Sequence, residues 1–151
     1  MIRSERDDDR AAVRAVELAA FGQDVEADIV DALRDDPAWA LSLVAEVDGE
    51  IVGHLLFSRG SRGVMTLGPL AVHPSHQRRG IGSALMREGL ARIDGPVVLL
   101  GHPDYYTRFG FLPAFPLGVT NQWGIEGPEW MIRGEAEPGE VRYPEAFATH
   151  G

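Results

Sequence analysis

Between Ala40 and Val47 the apolar residues Leu41, Leu43, Ala45 and Val47 alternate with Ser42, Val44 and Glu46, the two-residue period of a strand. Asp48-Gly49 then forms a tight-turn pair, and Ile51 to Ser58 supplies the returning strand of a hairpin. Upstream, Arg10 to Phe21 predicts a helix behind Asp7, Asp8 and Asp9, whose charges favour a helix start. Val25, Ile29 and Leu33 recur every four residues and mark a second helix, ended by Asp35-Asp36-Pro37. A short strand is expected at Ile2 to Glu5.

After a polar connection from Arg59 to Gly63, Met65 to Val72 predicts a third long strand, antiparallel to the second. Met86, Leu90 and Ile93 keep helical spacing up to the stop at Gly95-Pro96, and Val97 to Leu100 is the apolar run of a buried strand. Residues 65 to 100 therefore read as strand, crossover helix and parallel strand. Beyond Pro113 the chain is rich in Gly and Pro, with weaker strands around Leu117 to Thr120, Trp130 to Arg133 and Glu140 to Tyr143. Spread aromatics there predict that this segment packs onto the same sheet rather than acting as a linker. The pattern is that of one α+β (α/β mixed) domain over residues 1–151, with no internal repeat.

Composition narrows the chemistry. Cysteine is absent, and all 14 basic residues are arginines. Disulfides, thiolate metal sites, cysteine nucleophiles and every lysine-based mechanism are excluded, and no metal site is expected. The net charge of -9 argues against nucleic-acid binding, so an anionic ligand needs a local site. No run approaches the roughly 20 apolar residues of a membrane helix, and the first residues lack a signal-peptide pattern. A cytoplasmic protein with no membrane partner is expected, and a homodimer is left open.

Such a local site is offered by Gln77-Arg78-Arg79-Gly80-Ile81-Gly82, between a strand and a helix. Free backbone N–H groups and the positive end of the helix dipole converge there, glycines allow close approach, and two arginines add charge. A diphosphate suits this chemistry; a glycine-rich turn with solvated arginines is the structural alternative. A dinucleotide G-x-G-x-x-G pattern fails, because Leu85 stands at the third glycine.

Three runs taken together, Leu70-Ala71-Val72-His73-Pro74, the Gln77 to Gly82 loop and Tyr106-Thr107-Arg108-Phe109-Gly110-Phe111, resemble the GCN5-related N-acetyltransferase (GNAT) superfamily. Leu100-Gly101-His102-Pro103-Asp104-Tyr105-Tyr106 is similar to its bacterial YhbS-like subgroup. The resemblance implies a central, mostly antiparallel mixed sheet flanked by helices, with parallel strands splayed at the coenzyme site. It implies that amides of Arg78, Arg79, Gly80, Ile81, Gly82 and Ser83 hold the diphosphate of acetyl-CoA, the cosubstrate. It further implies that the backbone of Leu70, Ala71 and Val72 pairs with pantetheine. Gly68-Pro69 fits such an irregular strand, since Pro removes a ladder donor.

In that family an amine attacks the thioester directly, and Tyr106 matches the acid that protonates the leaving thiolate. An unperturbed phenol, with a pKa of about 10, is nearly matched to an alkyl thiol; a tyrosine packed beside Phe109 and Phe111 is the structural alternative. The base is not fixed: Glu46, His54, His73, His102 and Asp104 are candidates, as is a base acting through water. The glutamate many relatives carry at the strand equivalent to Val97 to Leu100 has only aliphatic residues here. The expected function is acetyl transfer to a primary amine of a small molecule or peptide. A non-catalytic acyl-CoA sensor or protein-binding module is the alternative. The acceptor is expected between the first helices and a C-terminal wall carrying Asn121, Trp123 and Trp130, and the net charge favours cationic amines.

Overall fold

A computed structural model describes residues 1–150. Strands are β1 (Ile2–Ser4), β2 (Trp39–Val47), β3 (Glu50–Arg59), β4 (Met65–Val72), β5 (Val97–Leu100), β6 (Leu112–Pro113), β7 (Val119–Asn121), β8 (Trp130–Arg133) and β9 (Gly139–Val141). Helices are α1 (Arg10–Phe21), α2 (Val25–Leu33), α3 (Ile81–Arg92), α4 (Pro103–Tyr106) and α5 (Glu145–His150). Among the described residues, no helix is long and apolar enough to cross a membrane.

The architecture is α+β, with a mixed seven-stranded sheet in the order β1-β2-β3-β4-β5-β8-β6. Four consecutive strands from β1 to β4 pair antiparallel, β4 pairs parallel with β5, and β5-β8-β6 continue antiparallel. The expected hairpin forms through Asp48 and Gly49, both at positive φ (51° and 80°), the backbone of a turn that follows strand twist.

Strand alternation assigns the two faces of the sheet. Leu43 and Ala45 of β2 and Leu55 and Phe57 of β3 pack with Leu85, Met86 and Leu90 of α3. The intervening Val44 and Leu56 pack on the other face with Val13 of α1 and Ile29, Val30 and Leu33 of α2. Both faces of β3 are covered, which explains its unbroken buried run from Val52 to Ser58.

The C-terminal segment departs from the expectation in one respect. β8 enters the main sheet beside β5, as expected, but β7 and β9 form a separate two-stranded parallel sheet. The cause is Trp130: it is fully buried, and its indole N–H donates to the Val119 carbonyl at 2.9 Å. This draws β7 over the face of the sheet, where Val119 and Val141 bury against Val98 and Ile132. The two-residue edge strand β6 was not expected.

Candidate active site

β4 and β5 are hydrogen-bonded neighbours only at Met65↔Val97 and Thr66↔Val98. Beyond that point the two strands part. On the other side β5 stays paired with β8 along its whole length, and β4 with β3, so the gap belongs to the parallel pair alone. The register of β3 against β4 shifts between Leu55↔Leu70 and Phe57↔Leu67, placing one extra β4 residue at Gly68-Pro69, whose peptide bond is cis. Such a bulge bends its strand and re-aims the residues after it.

Backbone facing along β4 follows from one hydrogen bond. His73 N–H donates to the Val52 carbonyl on the β3 side. Alternation along an antiparallel ladder then turns Ala71 toward β3, opposite His54, and leaves the backbone groups of Leu70 and Val72 facing the open side. The Val72 carbonyl accepts from the Gln77 side-chain amide at 3.1 Å, which ties the following loop to the strand end.

That loop enters α3 through two residues in the left-handed region, Arg78 (φ 65°) and Gly80 (φ 80°), with Gly80 as the N-cap. No side chain caps the helix, and a Cβ built on Gly80 would meet nothing within 4 Å. The first N–H groups of α3 are therefore uncapped by any side chain and open to the surface at the positive end of the dipole. Arg78 and Arg79 are exposed beside it and form no ion pair among the described residues. Tyr105 braces this turn: its hydroxyl lies 3.3 Å from Ser83 Oγ.

Between the parted strands opens a cleft of about 660 Å³. Leu67 to Leu70 and Leu99 to Leu100 form its floor, and Tyr106 projects into it from α4. The Tyr106 ring sits edge-on to Tyr105 at 4.9 Å and to Phe111 at 6.2 Å. Burial, with a smaller contribution from Tyr105, pushes its pKa up to about 12. The phenol is thus protonated across the neutral range and has no hydrogen-bond partner among the described residues. Gly101 makes this position available, since a Cβ there would overlap the Tyr106 ring at Cε2.

The five sequence candidates for a base lie elsewhere; none lines the cleft. Glu46 pairs with Arg3 at 2.8 Å, and His73 bonds to Ser75. His102 and Asp104 are exposed. His54 is fully buried on the α1 side, with Nδ1 2.7 Å from Glu17 Oε2 and Nε2 2.8 Å from Ser42 Oγ. Because Ser42 donates its hydroxyl proton to Glu5, His54 must donate through Nε2, and the Glu17–His54 contact then holds one proton. Burial raises the Glu17 pKa against the opposing His54 hydrogen bond, with the charge of Glu26 adding to the rise. The cleft does contain an acidic side chain that the sequence reading missed: Glu26, on α2.

Comparison with known proteins decides the family. The acetyltransferase (GNAT) family profile matches residues 6–111. The chain belongs to the GNAT family. It is 43% identical over 119 residues to the uncharacterized N-acetyltransferase YjhQ of Escherichia coli, an alignment covering 70% of this chain and 66% of that protein. The crystal structure of the GNAT family N-acetyltransferase YhbS from Escherichia coli, in complex with CoA, superposes with a TM-score of 0.93 at 29% identity. That match covers 100% of this chain and 93% of YhbS. A GNAT family acetyltransferase from Brucella melitensis, in complex with acetyl-CoA, gives a TM-score of 0.83 at 38% identity, covering 97% of both chains. The C-terminal residues singled out from the sequence divide: Trp123 lines the cleft, whereas Trp130 is core. Asn121 is also buried, accepting through Oδ1 from the N–H groups of Trp123 and Ile125 and so shaping the loop between them.

Proposed function

We propose that this GNAT chain transfers the acetyl group of acetyl-CoA to a primary amine by direct attack, with Tyr106 serving the leaving sulfur. The observation that carries this reading is the protonated Tyr106 projecting into the gap between β4 and β5. The residues present fit the coenzyme. An uncapped α3 start, with free space above Gly80, suits a diphosphate on the amides of Arg78, Arg79, Gly80, Ile81, Gly82 and Ser83. The outward backbone groups of Leu70 and Val72 suit the pantetheine amides.

Acetyl-CoA supplies a thioester whose carbonyl carbon accepts the amine nitrogen and whose sulfur leaves. As the C–N bond forms and the C–S bond breaks, the amine loses one N–H proton and the sulfur gains one. Tyr106 donates a hydrogen bond to that sulfur. Its raised pKa changes the near-balance expected of an unperturbed phenol: proton donation to a thiolate is less favourable than at a pKa of about 10, so stabilisation of the developing charge is the larger part of its role. None of the five sequence-predicted bases lines the cleft, so a water molecule carries the amine proton away, with Glu26 as the cleft's one carboxylate among the described residues.

Two measurements bear on this reading. Free thiol should be released from acetyl-CoA only when a primary amine is present, with the N-acetylated amine identified by mass spectrometry. Coenzyme binding without amine-dependent thiol release would sink the proposal. Gly101→Ala should push the Tyr106 ring from its place and lower kcat by about tenfold or more, while coenzyme affinity measured by calorimetry holds. An unchanged kcat would show that the ring position is not needed.

A further inference from the structure

Beyond the parted strands, the rest of the cleft wall is aromatic. Trp123 packs against Tyr143 with ring centres 5.0 Å apart at 61°, and Tyr143 against Phe147 at 5.1 Å and 79°. Gln122 accepts from the Tyr143 backbone N–H at 2.6 Å, which together with the Asn121 bonds holds this row rigidly. Phe21, at the end of α1, faces the same space. Phe21, Leu100 and Trp123 are each 38–40% exposed, apolar surface left open at this cleft.

Against these rings stands one charge. Among the described residues, Glu26 is the one Asp, Glu or Arg side chain that lines the cleft. Its carboxylate accepts only from the neutral Gln23 amide, at 3.2 and 3.3 Å, and no arginine pairs with it among the described residues. Glu26 is half-buried, with apolar cleft wall on one side and solvent on the other, so a cation bound in the cleft gains a charge-assisted partner there that a neutral ligand does not.

We propose that the acceptor is a monoamine on an aryl-bearing apolar body, its ring against Trp123, Tyr143 and Phe147 and its ammonium group held by Glu26 in the binding step. The nitrogen then gives one proton to water and attacks as the neutral amine, losing its second proton as the amide forms. This rests on the acetyl-transfer reading and names the substrate class for it. Glu26 is a specificity-determining residue: it selects the amine end, while the rings select the body. A polyamine would place its second charge where no carboxylate answers it, and an acidic amine would set an anion beside Glu26 with no arginine in reach. Selectivity is therefore local and departs from what the overall charge of -9 suggests.

The test uses the full chain loaded with CoA and three probes: 2-phenylethylamine, 2-phenylethanol, which keeps the body and lacks the ammonium, and spermidine. Binding is read by tryptophan fluorescence and turnover, with acetyl-CoA, by thiol release. The amine should bind about tenfold tighter than the alcohol, and Glu26→Gln should reduce that ratio to within about twofold while CoA affinity stays as in the parent. Spermidine should give kcat/KM about tenfold or more below 2-phenylethylamine. Equal binding of amine and alcohol, an unchanged ratio in Glu26→Gln, or spermidine as the better acceptor would overturn the inference and leave acetyl transfer standing. Glu26-dependent amine binding with no thiol release would overturn acetyl transfer and support the cleft assignment.

Discussion

Gly80→Val is expected to lower acetyl-CoA affinity by about 100-fold or more in calorimetric titration. Two effects act together at this position. At φ 80° a β-branched side chain is strained, which pulls the loop out of the conformation that aims its N–H groups. The new side chain would also occupy the open space beside the α3 N-terminus, where a Cβ now meets nothing within 4 Å. A diphosphate that needs several amides at hydrogen-bond distance loses them all at once, and about 100-fold is under 3 kcal/mol, the worth of one or two charge-assisted bonds.

A control separates strain from occlusion. Gly95 also has positive φ (85°) and open space around it, but it follows the opposite end of α3. Gly95→Val should cost stability of the same order, about 1–3 kcal/mol, and leave coenzyme affinity intact. If both variants bind like the parent, the diphosphate lies away from residues 78 to 83.

The hairpin, the first helices and the crossover from β4 to β5 were legible because each carries a period over eight or more residues, or a turn pair of fixed meaning. The parting of β4 and β5 was expected from the resemblance alone, and the local irregularity that Gly68-Pro69 fits is seen as the register shift at that dipeptide. Past Phe111 the strands have two to four residues, too few to show a period, and their placement is decided by where Trp130 buries. Alternation alone could not tell β7, drawn over the sheet, from a strand within it.

Site residues divided along a similar line. The loop into α3 was readable because glycine and arginine between a strand and a helix have a direct electrostatic meaning. Glu26 was not: within Val25-Glu26-Ala27-Asp28 it looks like an ordinary solvent-side charge, and only the arrival of residues 121 to 147 over α2 turns its surroundings into a cleft wall. Gly101 was equally silent, since its function is the space it leaves for a ring five residues later. His54 was misleading, because a histidine on an alternating strand has two faces to choose from and this one turns to Glu17.

Tyr106→Phe is expected to lower kcat by about 100-fold or more with acetyl-CoA affinity nearly unchanged. The substitution keeps the ring, and so the edge contacts to Tyr105 and Phe111 and the fit beside Gly101. It removes one hydroxyl that has no partner among the described residues, so the fold loses no hydrogen bond. What disappears is an interaction made as charge grows on the leaving sulfur, and such a loss falls on kcat rather than on ground-state binding. Because burial raises the phenol pKa to about 12, the parent enzyme should also keep its rate up to about pH 10; ionisation of Tyr106 at its ordinary value would give a falling limb there. The pH profile thus separates two ways of being important. Loss of coenzyme affinity in Tyr106→Phe, with kcat preserved, would make Tyr106 a packing residue. A kcat equal to the parent would take the phenol out of the mechanism and leave the developing thiolate to solvent.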